Sequence, residues 1–229
     1  MWNQPSRDKW FGGGYDHPGI HTILVDPRDS RKITLAISTA GVWKSADGGV
    51  TWRSTGEGMR AEYAPPEFTH HPLSQDVHRL SACAAKPDVV WCQHHCGIFR
   101  STDGAETFTE IAGVKPSVFG FAVAAHPGDP EVAWFVPAVK DEFRVSVDGR
   151  LVVNRAMAGG SRFEPLGNGL PDKDCYDLVY RHGLDVDPTG KRLAIGSTTG
   201  NLWVSEDAGR RWTLVSAHLP PIAQVAFGA

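Results

Sequence analysis

The chain has no apolar run approaching the roughly 20 residues of a membrane span and no apolar core near Met1 of the kind a signal peptide carries. Long basic runs are missing too: 23 Lys and Arg stand against 26 Asp and Glu, and Arg210-Arg211 is a lone pair. A nucleic-acid groove needs a clustered basic face, so neither a membrane nor a nucleic acid is an expected partner. Cysteine is scarce, four in 229 residues, too few for a disulfide framework. Cys83 and Cys175 read as reduced, buried thiols, and the expected location is cytoplasmic. No long capped stretch of 3.6-residue period appears, which leaves an all-β chain. There is no Gly-x-Ser-x-Gly elbow, Walker loop or dinucleotide fingerprint, and Gly12-Gly-Gly14 precedes a predicted strand, not a helix whose positive end would hold phosphate. No cofactor is expected.

What the chain does have is one short phrase three times: Ser45-Ala-Asp47-Gly-Gly49-Val-Thr51-Trp52, Ser101-Thr-Asp103-Gly-Ala105-Glu-Thr107-Phe108 and Ser205-Glu-Asp207-Ala-Gly209-Arg-Arg211-Trp212. Such a phrase suits a tight turn. The Asp carboxylate accepts from the turn's N–H groups, the Gly supplies positive φ, the Ser hydroxyl bonds locally and the aromatic opens the next strand. These Asp residues therefore read as turn staples and not as catalytic acids. A worn copy fits between the second and third if Phe163 takes the aromatic place and Gly160 the Gly place, giving spacings of 56, 55 and 49 between aromatics. There Ala156 and Ala158 replace Ser and Asp, which predicts a looser hairpin.

Two apolar runs of strand length precede each phrase, and each repeat reads as a four-stranded antiparallel meander with Gly, Pro and Asp at the breaks. The expected repeats span about 19–57, 76–113, 117–168 and 176–217, with 220–229 as a closing or edge strand. All lie in one domain.

The phrase resembles the Asp-box, or BNR repeat, of sialidase-like β-propellers. With Gly19-Ile-His-Thr-Ile-Leu-Val-Asp-Pro27, His94-His-Cys-Gly97, Phe119-Gly-Phe121 and Asp174-Cys-Tyr176, the chain is similar to the carboxyl portion of bacterial Asp-box proteins often labelled sialidase-like or glycosyl hydrolase. The resemblance implies a partial propeller of four blades plus one strand, lacking amino-terminal blades. Its open strand edges would then invite self-association or a partner protein.

Aligning the repeats on Asp26-Pro27, Lys86-Pro87, His126-Pro127 and Asp187-Pro188 places His21, Ser81, Phe121 and His182 at one repeat position, six before the Pro, with His78 three residues ahead of Ser81. Residues so placed would surround a central channel. His21, His78, Arg181, His182, Tyr176 and Lys140 are the expected ligand-binding set at its mouth; a hydrogen-bond network between blades is the plainer role for the histidines. Cys92-Gln-His94-His95-Cys96 is dense in soft ligands, but it spans a strand end and a turn, and no second ligand pair at zinc spacing accompanies it. His94, His95 and Cys96 are thus weak metal candidates, and no metal is expected.

Three functions follow from different classes. The leading one is a ligand-binding Asp-box propeller for a carbohydrate or other small ligand. The resemblance also implies a glycoside hydrolase, sialidase-like or xyloglucanase-like. Nothing in the spacing selects the Tyr–Glu pair of a sialidase, and a pair of carboxylates across a cleft would be sought first among Asp16, Glu62 and Asp174. The third is an interaction module that uses open edges and exposed aromatics such as Trp2, Trp10 and Phe11.

Overall fold

The computed structural model describes residues 1, 3–11 and 16–228. Trp2 and the Gly12-Gly-Gly14 link lie outside them. Among the described residues, sixteen strands form four antiparallel meanders, each of four consecutive strands in sequence order. The first sheet holds β1 (Ile20–Val25), β2 (Ile33–Ile37), β3 (Gly41–Ser45) and β4 (Arg53–Thr55); the second holds β5 (Val77–Cys83), β6 (Lys86–His94), β7 (Gly97–Ser101) and β8 (Thr109–Glu110). The third holds β9 (Gly120–Ala125), β10 (Ala133–Pro137), β11 (Val153–Met157) and β12 (Arg162–Leu166), and the fourth β13 (Leu184–Val186), β14 (Leu193–Gly196), β15 (Leu202–Ser205) and β16 (Thr213–Ser216). No helix among the described residues is long and apolar enough to cross a membrane.

The all-β architecture is present, but the expected propeller is not. The four sheets stay separate, and none closes into a propeller or barrel. Segment 220–229, expected as a closing or edge strand, contributes among its described residues a single bridge, Gln224 to His182. The physical reason is local: Pro220 and Pro221 carry no N–H to donate to a ladder, and the N–H groups of Ile222 and Val225 go to different places, the carbonyls of Ser197 and His182.

Each repeated phrase folds as the hairpin between the third and fourth strands of its sheet. Ser45 Oγ accepts from Gly49 N at 2.8 Å and donates to Asp47 Oδ1 at 2.8 Å, while Asp47 Oδ1 accepts from Thr51 N at 2.9 Å. The second copy repeats this through Ala105 N to Ser101 Oγ at 2.9 Å and Thr107 N to Asp103 Oδ1 at 3.0 Å. The third copy does so through Gly209 N to Ser205 Oγ at 2.9 Å and Arg211 N to Asp207 Oδ1 at 2.8 Å. In the worn copy the strand pairing is kept, with Ala156 opposite Phe163, but Ala158 turns to φ 49°. None of Asp47, Asp103 and Asp207 has positive φ, so the carboxylate staple also sets the backbone of its own residue. All four hairpins are tied back to their own sheet by one further bond: Gly48 N to Arg31 O, Gly104 N to Asp88 O, Gly159 N to Glu131 O and Ala208 N to Lys191 O.

The hairpins also join sheet to sheet. Phe108 N donates to Glu57 O at 2.7 Å and Trp212 N to Asn168 O at 2.8 Å. The approach is so close that a Cβ on Gly58 or Gly169 would lie 2.1 Å from the carbonyl oxygen of Phe108 or Trp212, which is why glycine occupies both places. Between the sheets lie three apolar cores. Ala36, Val42, Leu80 and Phe99 fill the first joint, Trp91, Val123 and Phe135 the second, and Trp134, Leu184, Trp203 and Trp212 the third. The first strands pack in succession, β1 on β5, β5 on β9 and β9 on β13. Side chains fix these contacts: Thr22 Oγ1 accepts from Leu80 N at 3.0 Å and Ser81 Oγ from Ala125 N at 2.8 Å.

Candidate functional site

The register of the first strands decides which side chains converge. Val25, Ala82, Ala125 and Val186 pair with Ile33, Val90, Ala133 and Leu193, and those four in turn pair with Ser45, Ser101, Ala156 and Ser205, the first position of each phrase. Four residues ahead of Val25, Ala82, Ala125 and Val186 stand His21, His78, Phe121 and His182. Ser81 therefore gives up the place that alignment on proline assigned to it. The reason is where the proline falls: Pro27, Pro127 and Pro188 stand two residues after Val25, Ala125 and Val186, whereas Pro87 stands five after Ala82, inside β6.

These four residues border a cavity of about 690 Å³, lined also by Tyr63, Asp76, His95, Asp141, Arg144, Tyr180 and Arg181. A larger cavity of about 920 Å³ lies along β1 and β5; its charged side chains include the ion pairs Arg28–Asp26, Arg28–Asp88, Lys44–Glu106 and Arg53–Glu106, and among the described residues no Phe, Tyr or Trp lines it. The smaller one brings titratable groups and aromatic rings together, and it is the candidate site.

At its floor, Phe121 stacks on His78, ring centroids 4.6 Å apart at 15°, and Tyr180 meets Phe121 edge-on at 5.4 Å. The guanidinium groups of Arg144 and Arg181 stand 5.5 and 5.1 Å from the same ring, within cation–π range. His182 hydrogen-bonds to the His21 backbone. Burial, helped by Arg181, lowers the His21 imidazole to about 4, and burial with Arg79 lowers His182. Both rings are thus harder to protonate than a free imidazole.

Asp76 is the centre of the polar wall. Its Oδ1 accepts from Ser38 Oγ at 2.9 Å, and its Oδ2 lies 3.6 Å from His78 Nε2 and 3.4 Å from His95 Nδ1. Burial would push this carboxyl up; the two imidazoles and the Ser38 hydroxyl outweigh it and hold Asp76 well below the usual carboxylate range. The buried His78 is lowered, first by desolvation. Asp76, His78 and His95 offer one donor atom each within 4.8 Å of one another.

Of the ligand-binding set expected from sequence, His21, His78, Arg181 and His182 border the cavity. Tyr176 and Lys140 do not: Tyr176 is 71% exposed, and Lys140 pairs with Glu142 and Phe143 at the surface. Asp16, Glu62 and Asp174 do not line it either; Glu62 is paired to Arg60, and Asp174 sits in a turn at φ 50° beside Gly149. The His94-His95-Cys96 cluster splits as strand alternation requires. His95 faces the cavity, whereas His94 is buried against Phe99, accepts from Cys96 N and is lowered to about 3 by burial. Cys96 Sγ accepts from Glu62 N. All four cysteines are free and buried. Trp10, expected as an exposed docking aromatic, is buried against Trp43 at 5.3 Å, while Phe11 is half exposed and borders the cavity. Sequence reasoning missed Asp76, Tyr63, Asp141, Arg144 and Tyr180. The Asp76-Val77-His78 triplet, which puts both polar side chains on one face of a strand, was the signal for the first.

No protein-family model and no curated protein matches the chain. Solved structures do. An ancestral GH74 enzyme aligns with a TM-score of 0.62 at 17% identity, over 84% of this chain and 23% of its own. The GH74 xyloglucanase of Xanthomonas campestris gives 0.60 at 16%, over 88% and 30%. An auxiliary nutrient binding protein of Bacteroides thetaiotaomicron gives 0.58 at 13%, over 90% and 44%. The chain thus spans less than a third of the GH74 enzymes it matches. At these identities the likeness is one of fold, and it corrects the sialidase-like assignment: the all-β fold is distantly GH74-like, not that of a closed Asp-box sialidase propeller with a polar channel mouth.

Proposed function

We propose that the protein is carbohydrate-active, distantly GH74-like, and takes an oligosaccharide in the cavity bordered by Tyr63, Phe121 and Tyr180. The observation that carries this reading is the pairing of rings with charges in one concave site. Tyr63 and Tyr180 are 42% and 36% exposed there, and Asp141, Arg144 and Arg181 stand beside them. Flat aromatic faces accept the C–H faces of a sugar ring, while charged groups bond its hydroxyls. The GH74 likeness of the fold supports a glycoside-hydrolase-like reading over a sialidase-like one. Hydrolysis needs two carboxylates, and Asp76 and Asp141 are those among the lining residues.

Calorimetric titration with xyloglucan oligosaccharides, with reducing-end release followed in parallel, tests it. Saturable binding weakened at least tenfold in Tyr180→Ala supports the site. Release abolished in Asp141→Asn would make the protein a hydrolase, and binding without release a carbohydrate binder. Failure of xyloglucan, cello- and other neutral oligosaccharides to bind overturns the proposal.

A further inference from the structure

We infer that Asp76, His78 and His95 form a site for a divalent first-row transition metal, zinc being the probe of choice, with an open coordination position facing the cavity. This inference does not need the oligosaccharide reading, although it uses Asp76, one of the two carboxylates that reading offers for hydrolysis. It rests on donor geometry, on the hydrogen bonds behind the donors, and on the chemistry of the set.

A tetrahedral zinc at about 2.0–2.1 Å from its ligands separates them by about 3.3–3.4 Å. Asp76 Oδ2 lies 3.4 Å from His95 Nδ1 and 3.6 Å from His78 Nε2, so two of the three edges already have nearly that length. Both contacts exceed the usual hydrogen-bond distance.

The groups behind the donors fix which atoms point inward. His78 Nδ1 stands 2.6 Å from the Gly120 carbonyl oxygen. A carbonyl accepts and cannot donate, so Nδ1 carries the proton, and the neutral ring presents the lone pair of Nε2 to the Asp76 carboxylate. Two lone pairs facing each other in a buried place repel unless a proton or a metal cation lies between them, and 3.6 Å is long for a contact bridged by a proton. Ligating histidines in metal sites are oriented this way, the remote N–H held by a backbone carbonyl, and ligating carboxylates are themselves hydrogen-bonded. Ser38 Oγ does this for Asp76 Oδ1, and stacking on Phe121 locks the His78 ring. His95 N donates to Asp76 O at 3.0 Å, which ties the third donor to the first through the main chain.

Two imidazoles and one carboxylate suit zinc and its first-row neighbours and not calcium or magnesium, which want an oxygen set. Three protein ligands beside a cavity leave a fourth position for water or a substrate oxygen. His95, whose side chain is 23% exposed, is the ligand nearest solvent.

The test uses the full chain stripped with chelator and titrated with zinc, with cobalt as a spectroscopic reporter. One equivalent should bind saturably, cobalt should give d–d bands of a four- or five-coordinate nitrogen–oxygen site, and zinc should raise the melting temperature. His95→Ala and Asp76→Asn should each weaken zinc at least tenfold, whereas the surface variant His218→Ala should bind as the wild type does. If Asp76→Asn loses its cooperative melt, the more exposed His95→Gln decides instead. Absence of saturable binding to the wild type, or unchanged affinity in a folded His95 variant, overturns the inference.

Discussion

At the β3–β4, β7–β8 and β15–β16 hairpins the same two side chains do the same work three times, whereas the four equivalent places on β1, β5, β9 and the approach to β13 hold His21, His78, Phe121 and His182. The outer end of the repeat must solve one problem in every sheet, a tight turn whose N–H groups need acceptors, and it solves it with one phrase. The inner ends converge on one cavity. Three of the four residues there are histidines, each lowered first by burial, and the fourth, Phe121, stacks on one of them.

The third sheet sharpens the contrast. Its hairpin lacks both Ser and Asp, yet it keeps its pairing and the Gly159 N to Glu131 O bond. What it loses is the backbone geometry at Ala158. The staple thus tightens a hairpin whose register strand pairing and the sheet contact have already set.

The largest expected effect lies at the inner end. Phe121→Ala should cost about 3–5 kcal/mol in urea unfolding, because a fully buried ring that stacks on His78 and meets Tyr180, Arg144 and Arg181 leaves a cavity. A cost under about 1 kcal/mol would show that the inner cluster does not hold the first strands together.

Next comes the joint between sheets. Gly169→Ala places a Cβ against Trp212 O at a φ of 90° and should cost about 3 kcal/mol. Gly48→Ala, at φ 75° with nothing within 4 Å, should cost about 1 kcal/mol from backbone strain alone. Equal costs would mean that the close approach to Trp212 carries no strain.

Removing a staple should fall in the same range or below it. Ser101→Ala orphans the buried Ala105 N–H and should lose about 1–3 kcal/mol. Installing one, Ala156→Ser with Ala158→Asp, should gain about 0.5–1 kcal/mol. A loss from the double substitution would mean that the third hairpin cannot leave its own turn geometry.

Acid should separate the two regions. The folded pKa of His21 is depressed to about 4, so the unfolded chain takes up a proton below its ordinary 6.5 while the folded one does not; this contribution is present above pH 6.5 and is lost as pH falls to about 4. Asp47, lowered to about 2 by the Thr51 hydroxyl and N–H and by Ser45, contributes above its ordinary 3.8 and loses that contribution between there and about 2. His21→Gln should flatten the first part of the stability–pH curve and leave the second; Asp47→Asn should do the reverse. Identical curves for the two variants would break the separation.

The hairpin phrases, the strand count and the grouping into four meanders were legible in the residues, because turns and alternation are local properties with local causes. That His21, His78, Arg181 and His182 share one cavity agrees with their repeat positions; that they bind a ligand is an expectation still to be tested. Closure was not legible: whether a terminal segment pairs depends on where its N–H groups find acceptors, and those of Ile222 and Val225 find them on loops. Nor could the sequence show that β1 and β9, equivalent apolar strands, would differ so far in burial. β9 lies between β5 and β13 and is buried at all six positions, while β1 leaves Ile20, Ile23 and Val25 exposed. Asp76 and His95 are 19 residues apart and belong to different strand ends; only the pairing of β5 with β6 sets them beside His78. Local hydrogen bonding fixed the turns, and long-range packing decided which polar groups lost water together.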